Sequence, residues 1–169
     1  MPNASSKTRT RLIFIPEGFA EKERLVSYEI GNALLMLNLK LQQNFGLRAE
    51  EYQIFMLIVL STVQRFARNP GSEVTLLGRT AMPPEASGSI SRRRISETLD
   101  IPFETVRRTT ASLLARDMIV ERRRGCLSTA GGTLARLSED ALPERIARRF
   151  LSVSNTMTKL GAAKLAGPE

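Results

Sequence analysis

Residues 90–125 read ISRRRISETLDIPFETVRRTTASLLARDMIVERRRG, and this stretch decides the fold. It contains a short helical pattern, a break from Asp100 to Pro102, a second helical pattern, and a β-prone segment that ends in a basic turn. Two helices joined by a tight turn and followed by a β-hairpin are the order of a winged helix-turn-helix. In that arrangement the second helix enters the major groove of DNA, so the order predicts a DNA-binding unit.

The first helix of the pair is predicted over residues 92–99. Ser91 is a favoured N-cap, and Ile95 and Leu99 lie on the helix face that should point inward. Pro102 cannot continue this helix but can begin the next one, because its ring fixes φ and removes a backbone donor.

The second helix is predicted over residues 103–116. Its inward positions are Val106, Thr110, Leu113 and Leu114. The residues of the opposite face that we expect to contact base edges are Phe103, Glu104, Arg107 and Arg108. Arginine can bridge guanine O6 and N7, and glutamate can accept a hydrogen bond from cytosine N4. The alternative is that Glu104 and Arg108 form only a surface ion pair, since they lie one helical turn apart.

A second set of residues lies where phosphate contacts would fix the position of the unit on the duplex. In the two helices these residues are Ser91, Arg92, Arg93 and Thr105. In the hairpin they are Arg122, Arg123 and Arg124, between a strand at 118–120 and a returning strand at 126–128. Strand alternation predicts Arg122 and Arg124 on one side and Arg123 on the other. The alternative for this basic turn is charged protection of a sheet edge.

Residues 90–120 resemble the DNA-binding domain of the cyclic-AMP receptor protein family of bacterial regulators. The shared residues are Ile90, Ser91, Arg92, Ile95, Glu104, Thr105, Val106, Arg108, Leu114 and Ile119. The resemblance implies that Glu104 and Arg108 contact bases and that Ser91 and Thr105 hold phosphates. Residues 1–89 show no β-roll domain for a cyclic nucleotide, so the resemblance implies no cyclic AMP.

Two positions depart from that family's pattern. Phe103 stands where the family usually carries a further base-contacting arginine, so the family's preferred DNA sequence does not carry over. Asp100 occupies a turn position usually held by glycine, and Asp is compatible because it tolerates the left-handed conformation. The overall order of elements is similar to that of the small dimeric MarR-type or GntR-type regulators.

The composition excludes several function classes. The chain has 25 Lys and Arg against 17 Asp and Glu, and its net charge of +8 favours a polyanionic partner. It has no His and a single Cys, which removes His-based catalysis, Cys–His nucleophile pairs and Cys/His zinc sites. We therefore expect no catalytic residues, no cofactor and no metal, and hence no enzyme. The longest apolar run, at 54–60, is too short to span a membrane, so we expect a cytoplasmic protein.

The whole chain is predicted to be mainly α, with a small β-hairpin wing and with dimerisation helices on both sides of the helix-turn-helix. The predicted segments are a flexible arm at 1–20, N-terminal helices at 21–68, a loop at 69–89, the helix-turn-helix and wing at 90–130, C-terminal helices at 131–160, and a tail at 161–169. Within the N-terminal segment, helices are predicted at 21–44 and 49–68, the second buried nearly all round.

The predicted partners are double-stranded DNA and a second copy of the chain. Surplus apolar residues at 21–44 and 142–160 favour a homodimer, which would pair two DNA half-sites. The alternative is that both segments pack only onto their own domain. We therefore expect a homodimeric, sequence-specific transcriptional regulator. A protein-interaction module and a plasmid or replication DNA-binding protein are the alternatives, and an unknown small-molecule effector stays open.

Overall fold

The computed structural model describes residues 10–68, 87–123, 125–133 and 141–167. Within these ranges the chain is mainly helical, with two small antiparallel sheets. The helices are α1 (Pro16–Glu21), α2 (Glu23–Phe45), α3 (Ala49–Arg68), α4 (Arg92–Leu99), α5 (Phe103–Ala115) and α6 (Leu142–Lys159). The strands are β1 (Arg11–Phe14), β2 (Ile90–Ser91), β3 (Ile119–Arg123), β4 (Cys126–Thr129) and β5 (Ala163–Ala166). Most of the predicted loop at 69–89, and residues 134–140 of the predicted C-terminal helices, lie outside the described residues.

The chain divides into two compact units, one formed by residues 1–40 with 144–169 and the other by residues 41–143. In the first unit, β1 and β5 pair antiparallel, with Arg11 opposite Ala166 and Phe14 opposite Ala163. The ring of Phe14 packs against that of Phe19 in α1, with centroids 5.4 Å apart. Residues 11–20 thus form a strand and most of a short helix within the segment, 1–20, that is predicted to be a flexible arm.

The end of α6 explains why a strand replaces the predicted tail at 161–169. Gly161 adopts the left-handed conformation (φ +79°), and the N–H of Ala162 donates to the carbonyl of Met157 at 2.9 Å, which closes the helix. The chain then turns into β5. Gly18 permits the close approach of the two ends of the unit, because a Cβ there would collide with the carbonyl oxygen of Gly161.

The second unit is built on α3, whose bounds agree with the prediction of a helix at 49–68. Ile54, Phe55 and Ile58 are fully buried and, with their neighbours, form one broad inward face. The prediction that this helix is buried nearly all round is wrong, because Leu60 on the outer side is 57% exposed. The core of the unit contains Leu47, Ile54, Phe55, Ile58, Val59, Ile95, Val106, Leu113, Met118, Ile119 and Leu127.

A three-stranded sheet in the order β2-β4-β3 packs against this core. The hydroxyl of Thr62, buried in α3, accepts a hydrogen bond from the N–H of Thr129 in β4 at 3.1 Å. The carbonyl of Thr62 accepts from the N–H of Gly88 at 2.8 Å, just before β2. One α3 residue therefore fixes both the returning strand of the hairpin and the chain that leads into α4.

None of the helices in the described ranges combines the length and the apolar character that crossing a membrane requires.

Candidate nucleic-acid interface

Helix α4 begins and ends through the local devices that its sequence predicts. The hydroxyl of Ser91 accepts from the backbone N–H of Arg94 at 3.2 Å, which satisfies one donor of the first turn. Ile95 is fully buried and anchors the helix to the core. Asp100 ends the helix in the left-handed conformation, with φ 53° and ψ 42°, which aspartate tolerates better than most residues other than glycine.

Helix α5 has one buried and one exposed side in its N-terminal half. Val106, Thr110 and Leu113 are fully buried and face the core, as their spacing predicts. The four predicted base-contacting residues all lie on the exposed side, and the Phe103 side chain is 49% exposed at the first turn. Because single exposed apolar side chains are common on protein surfaces, this exposure alone assigns no role to Phe103.

Glu104 and Arg107 form a bidentate ion pair on this exposed side. The Arg107 guanidinium donates from Nε to Oε2 at 2.8 Å and from Nη2 to Oε1 at 2.6 Å. The hydrogen bonds from Arg107 lower the pKa of the Glu104 carboxyl, and the charge of Arg108 acts in the same direction. The pair that forms thus joins Glu104 to Arg107, three residues along, whereas the sequence alternative joins Glu104 to Arg108.

Arg108 is exposed on α5 and makes no hydrogen bond or ion pair with any residue that the structure describes. Its guanidinium is therefore available to an external acceptor. Thr105 is half-buried beside it. Arg107 by contrast already donates two hydrogen bonds to Glu104, so it must break these bonds or use its remaining N–H groups to bind another acceptor.

The basic side chains at the start of α4 differ from one another in their environment. Arg93 is 86% exposed and donates from Nε to Glu97 at 2.9 Å, and Arg94 lies 3.7 Å from the same carboxylate. Because exposed ion pairs of this kind are weak, both guanidinium groups can reach external phosphates. Arg94 was not among the residues predicted from the sequence, although it lies in the same run of three arginines.

Arg92 is held inside the unit, and only 20% of its side chain is exposed. Its Nε donates to Thr110 Oγ1 of α5 at 3.0 Å, and its Nη2 donates to Glu121 Oε2 of β3 at 2.9 Å. The hydrogen bond from Arg92 is also the main cause that lowers the pKa of Glu121. Arg92, predicted from the sequence as a phosphate contact, joins α4, α5 and β3 within the same unit.

The hairpin β3–β4 carries the remaining predicted phosphate contacts. A register shift between Glu121 and Arg123 makes Arg122 a bulged residue, which interrupts the strict alternation predicted for this strand. The Arg122 Nε donates to the buried hydroxyl of Ser128 at 3.0 Å. Arg123 is exposed and makes no ion pair with a described residue, whereas Arg124 lies outside the described residues.

A further arginine that the sequence analysis missed anchors the far end of α5. Arg116 follows the helix, and its Nη2 donates to the carbonyls of Phe45 and Gly46 at 3.0 and 3.3 Å, at the end of α2. Gly46 itself is left-handed (φ +60°) and directly follows the last residue of α2. The sequence pattern predicts neither the Arg116 contacts nor the Arg92 contacts, because in each case the bonded residues are far apart in the sequence.

Comparison with protein-family models, curated proteins and solved structures yields no match to this chain. Among the described residues, no three His, Cys, Asp or Glu side chains come together in a group that could hold a metal ion. The candidate site consists of the exposed face of α5, the basic β3–β4 hairpin, and the contacts of Arg92 and Arg116 that hold these elements in place.

Proposed function

We propose that this chain is a sequence-specific, double-stranded DNA-binding transcriptional regulator, without enzymatic activity, that acts as a homodimer. The proposal assigns α4, α5 and the β3–β4 hairpin to a winged helix-turn-helix, with α5 in the major groove. The observation that carries it is the division of α5: a fully buried face opposite an exposed N-terminal face with Phe103, Glu104, Arg107 and Arg108.

The charge of the same segment supports DNA as the partner. Residues 91–125 contain nine Arg and five Asp or Glu, a net charge of +4. Within the described residues, three of those carboxylates are paired with arginines inside the unit, whereas Arg108 and Arg123 are exposed and unpaired. Neutralising phosphates with such side chains releases counterions, so the binding should weaken steeply as salt is added.

The homodimer is supported by the distribution of exposed apolar side chains. The first unit contains eleven of the thirteen large hydrophobic residues that are exposed in the described chain. On α2 one stripe, separate from its buried stripe, contains Leu25, Tyr28, Leu35, Met36 and Leu39, and Leu34 is exposed on another side of the helix. When the half-buried Asn32 is included and the adjacent Leu35 and Met36 are taken as one step, successive positions are three or four residues apart, which is typical of a helix–helix seam.

The direct test is selection of bound sequences from a pool of random DNA duplexes, repeated at two salt concentrations. The proposal expects enrichment of a pseudo-palindromic motif that persists at the higher salt, because base contacts depend less on salt than phosphate contacts do. Binding of the pool without any enriched motif would contradict sequence-specific regulation. Equal affinity for duplex DNA and for a neutral polymer would favour a protein-interaction module instead.

Two arginine variants separate base contacts from phosphate contacts. Arg108→Ala should relax the preference at one position in each half-site, at a cost of about 1–3 kcal/mol in discrimination. Arg123→Ala should weaken binding to all sequences alike and reduce the salt dependence by about one counterion per subunit. If Arg108→Ala kept the wild-type sequence preference, its assignment as a base contact would be wrong.

A further inference from the structure

One network of hydrogen bonds connects the hairpin tip to both helices of the proposed DNA-binding unit. Arg92, the first residue of α4, contacts Thr110 in α5 and Glu121 in β3. Thr110 is fully buried, and its hydroxyl also donates to the carbonyl of Arg107 at 3.1 Å. The Arg92 side chain is therefore fixed at one end by the core-facing side of α5.

The same network extends into the turn of the hairpin. The second carboxylate oxygen of Glu121, Oε1, accepts from the backbone N–H of Gly125 at 2.8 Å. Gly125 is left-handed (φ +82°), and a Cβ added there would lie 3.6 Å from Arg92 Nη1, so the turn passes directly over the guanidinium. One carboxylate oxygen of Glu121 thus binds Arg92 and the other binds the Gly125 N–H in the turn of the hairpin. Together the two contacts limit the motion of this turn, which we call the hairpin tip.

We propose that Arg92 and Glu121 are positioning residues that hold the hairpin tip at a fixed place relative to α5 before DNA arrives. The inference rests on the proposed function and deepens it, since it gives Arg92 a role other than the phosphate contact that the sequence predicts. Fixing two contact surfaces in advance removes the entropy cost of ordering the hairpin on binding. The network should therefore increase affinity for sites long enough to meet both surfaces.

The variant Glu121→Gln distinguishes a positioning role from a purely electrostatic one, because the two roles predict opposite changes in the affinity for DNA. Removing a negative charge from a DNA-binding surface should by itself tighten binding. Loss of the network should weaken it, because Arg92 loses its ionic partner and the Gly125 N–H loses a charged acceptor. Glu97→Gln is the matched control, since it also removes a carboxylate paired with arginine but lies on the exposed face of α4.

The experiment measures affinity by fluorescence anisotropy on two duplexes, one covering only the α5 footprint and one extended by flanking base pairs. Glu121→Gln should lose about 5- to 20-fold on the extended duplex and little on the short one, as expected for a loss of preorganisation. Arg92→Lys keeps the charge but not the two-pronged geometry, and it should behave in the same way. Glu97→Gln should bind both duplexes at least as tightly as the wild type.

Hydrogen exchange of the Gly125 amide in the free protein tests the network without DNA. Both Glu121→Gln and Arg92→Lys should accelerate this exchange, on the order of 10-fold, because the amide loses its charged acceptor or that acceptor loses its anchor. Extended-duplex affinity unchanged or increased in Glu121→Gln would overturn the inference while leaving the proposed function intact. A wild-type protein that binds no duplex would overturn the proposed function itself, whatever the exchange rate shows.

Discussion

At the scale of the residue, Phe103 offers the sharpest test of what α5 recognises. Its ring is 49% exposed at the first turn of the helix, on the face that the proposed function places in the major groove. The apolar feature that base pairs present in the major groove is the C5-methyl group of thymine. We therefore expect Phe103 to pack against a thymine methyl and to replace a hydrogen-bonded contact with an apolar one.

The prediction for Phe103 is measured by replacing each thymine of a selected site with uracil, which removes only the methyl group. One replacement in each half-site should weaken wild-type binding by about 3- to 10-fold, the size of a single lost apolar contact. Phe103→Ala should bind the thymine and uracil sites equally, and Phe103→Leu should keep part of the preference. If none of these replacements changed the affinity of the wild type, a contact between Phe103 and a thymine methyl group would be excluded.

The ion pair on the same face makes a prediction about pH. Hydrogen bonds from Arg107 lower the pKa of Glu104, so its carboxylate stays charged below the ordinary glutamate range. Because the pKa of Glu104 is lower in the folded than in the unfolded state, its ionisation stabilises the fold at pH values above the unfolded-state pKa. This contribution to folding stability is lost as the pH falls through the folded-state pKa of Glu104. In Arg107→Ala, the Glu104 titration midpoint should rise, as followed by NMR of its carboxyl carbon. The same midpoint in both proteins would mean that the pair does not persist in solution.

At the scale of the element, patterns within one segment predict much of what the structure shows. The spacing of apolar residues predicts the bounds of α3 and the buried face of α5, and single residues predict the Ser91 cap and the Asp100 turn. These features depend on neighbours within about one helical turn, which the sequence contains directly. The candidate base contacts belong to this class, because exposure on α5 follows from its period.

Features that join distant segments could not be predicted in the same way. β5 pairs with β1 from the other end of the chain, and a pairing between such distant segments has no signal within either of them. The position of the Arg92 side chain likewise depends on Glu121, which lies 29 residues further along the chain. No helical or strand periodicity relates two residues so far apart, so the sequence pattern does not predict their contact. A run of three arginines indicates a basic surface, but it does not show which one is directed inward.

Two glycines with opposite surroundings predict opposite effects on stability. A Cβ at Gly88 would collide with the carbonyl oxygen of Ser61, part of the α3 backbone, so Gly88→Ala should destabilise the second unit by about 1–3 kcal/mol. Gly31 lies within α2 with open space around it, so Gly31→Ala should increase stability by up to about 1 kcal/mol. Urea denaturation of both variants measures the two changes. Equal effects in the two would contradict the close approach of the chain before β2 to α3.

At the scale of the whole molecule, the central question is what covers the apolar surface of the first unit. A row of exposed apolar side chains on one helix is typical of a surface that another chain covers, and a second copy is a partner that is always present in the same solution. A two-fold axis would also supply the second recognition helix that a pseudo-palindromic site requires. The proposed function therefore links dimerisation to DNA recognition, and it expects a variant that cannot dimerise to bind a palindromic site more weakly.

The double variant Leu35→Glu with Leu39→Glu tests this link, because both residues lie in the exposed stripe of α2 and neither belongs to its buried face. Sedimentation should give a dimer for the wild type and a monomer for the variant, since like charges would meet across the seam at a cost that apolar contacts no longer offset. The variant should lose affinity for the full palindrome but bind an isolated half-site as the wild type does.

Leu60→Glu is the matched control, because Leu60 is as exposed as Leu35 (57% each) but lies on α3, in the second unit. A wild type that sediments as a monomer, or a control that dissociates like the double variant, would exclude the α2 stripe as the dimer interface.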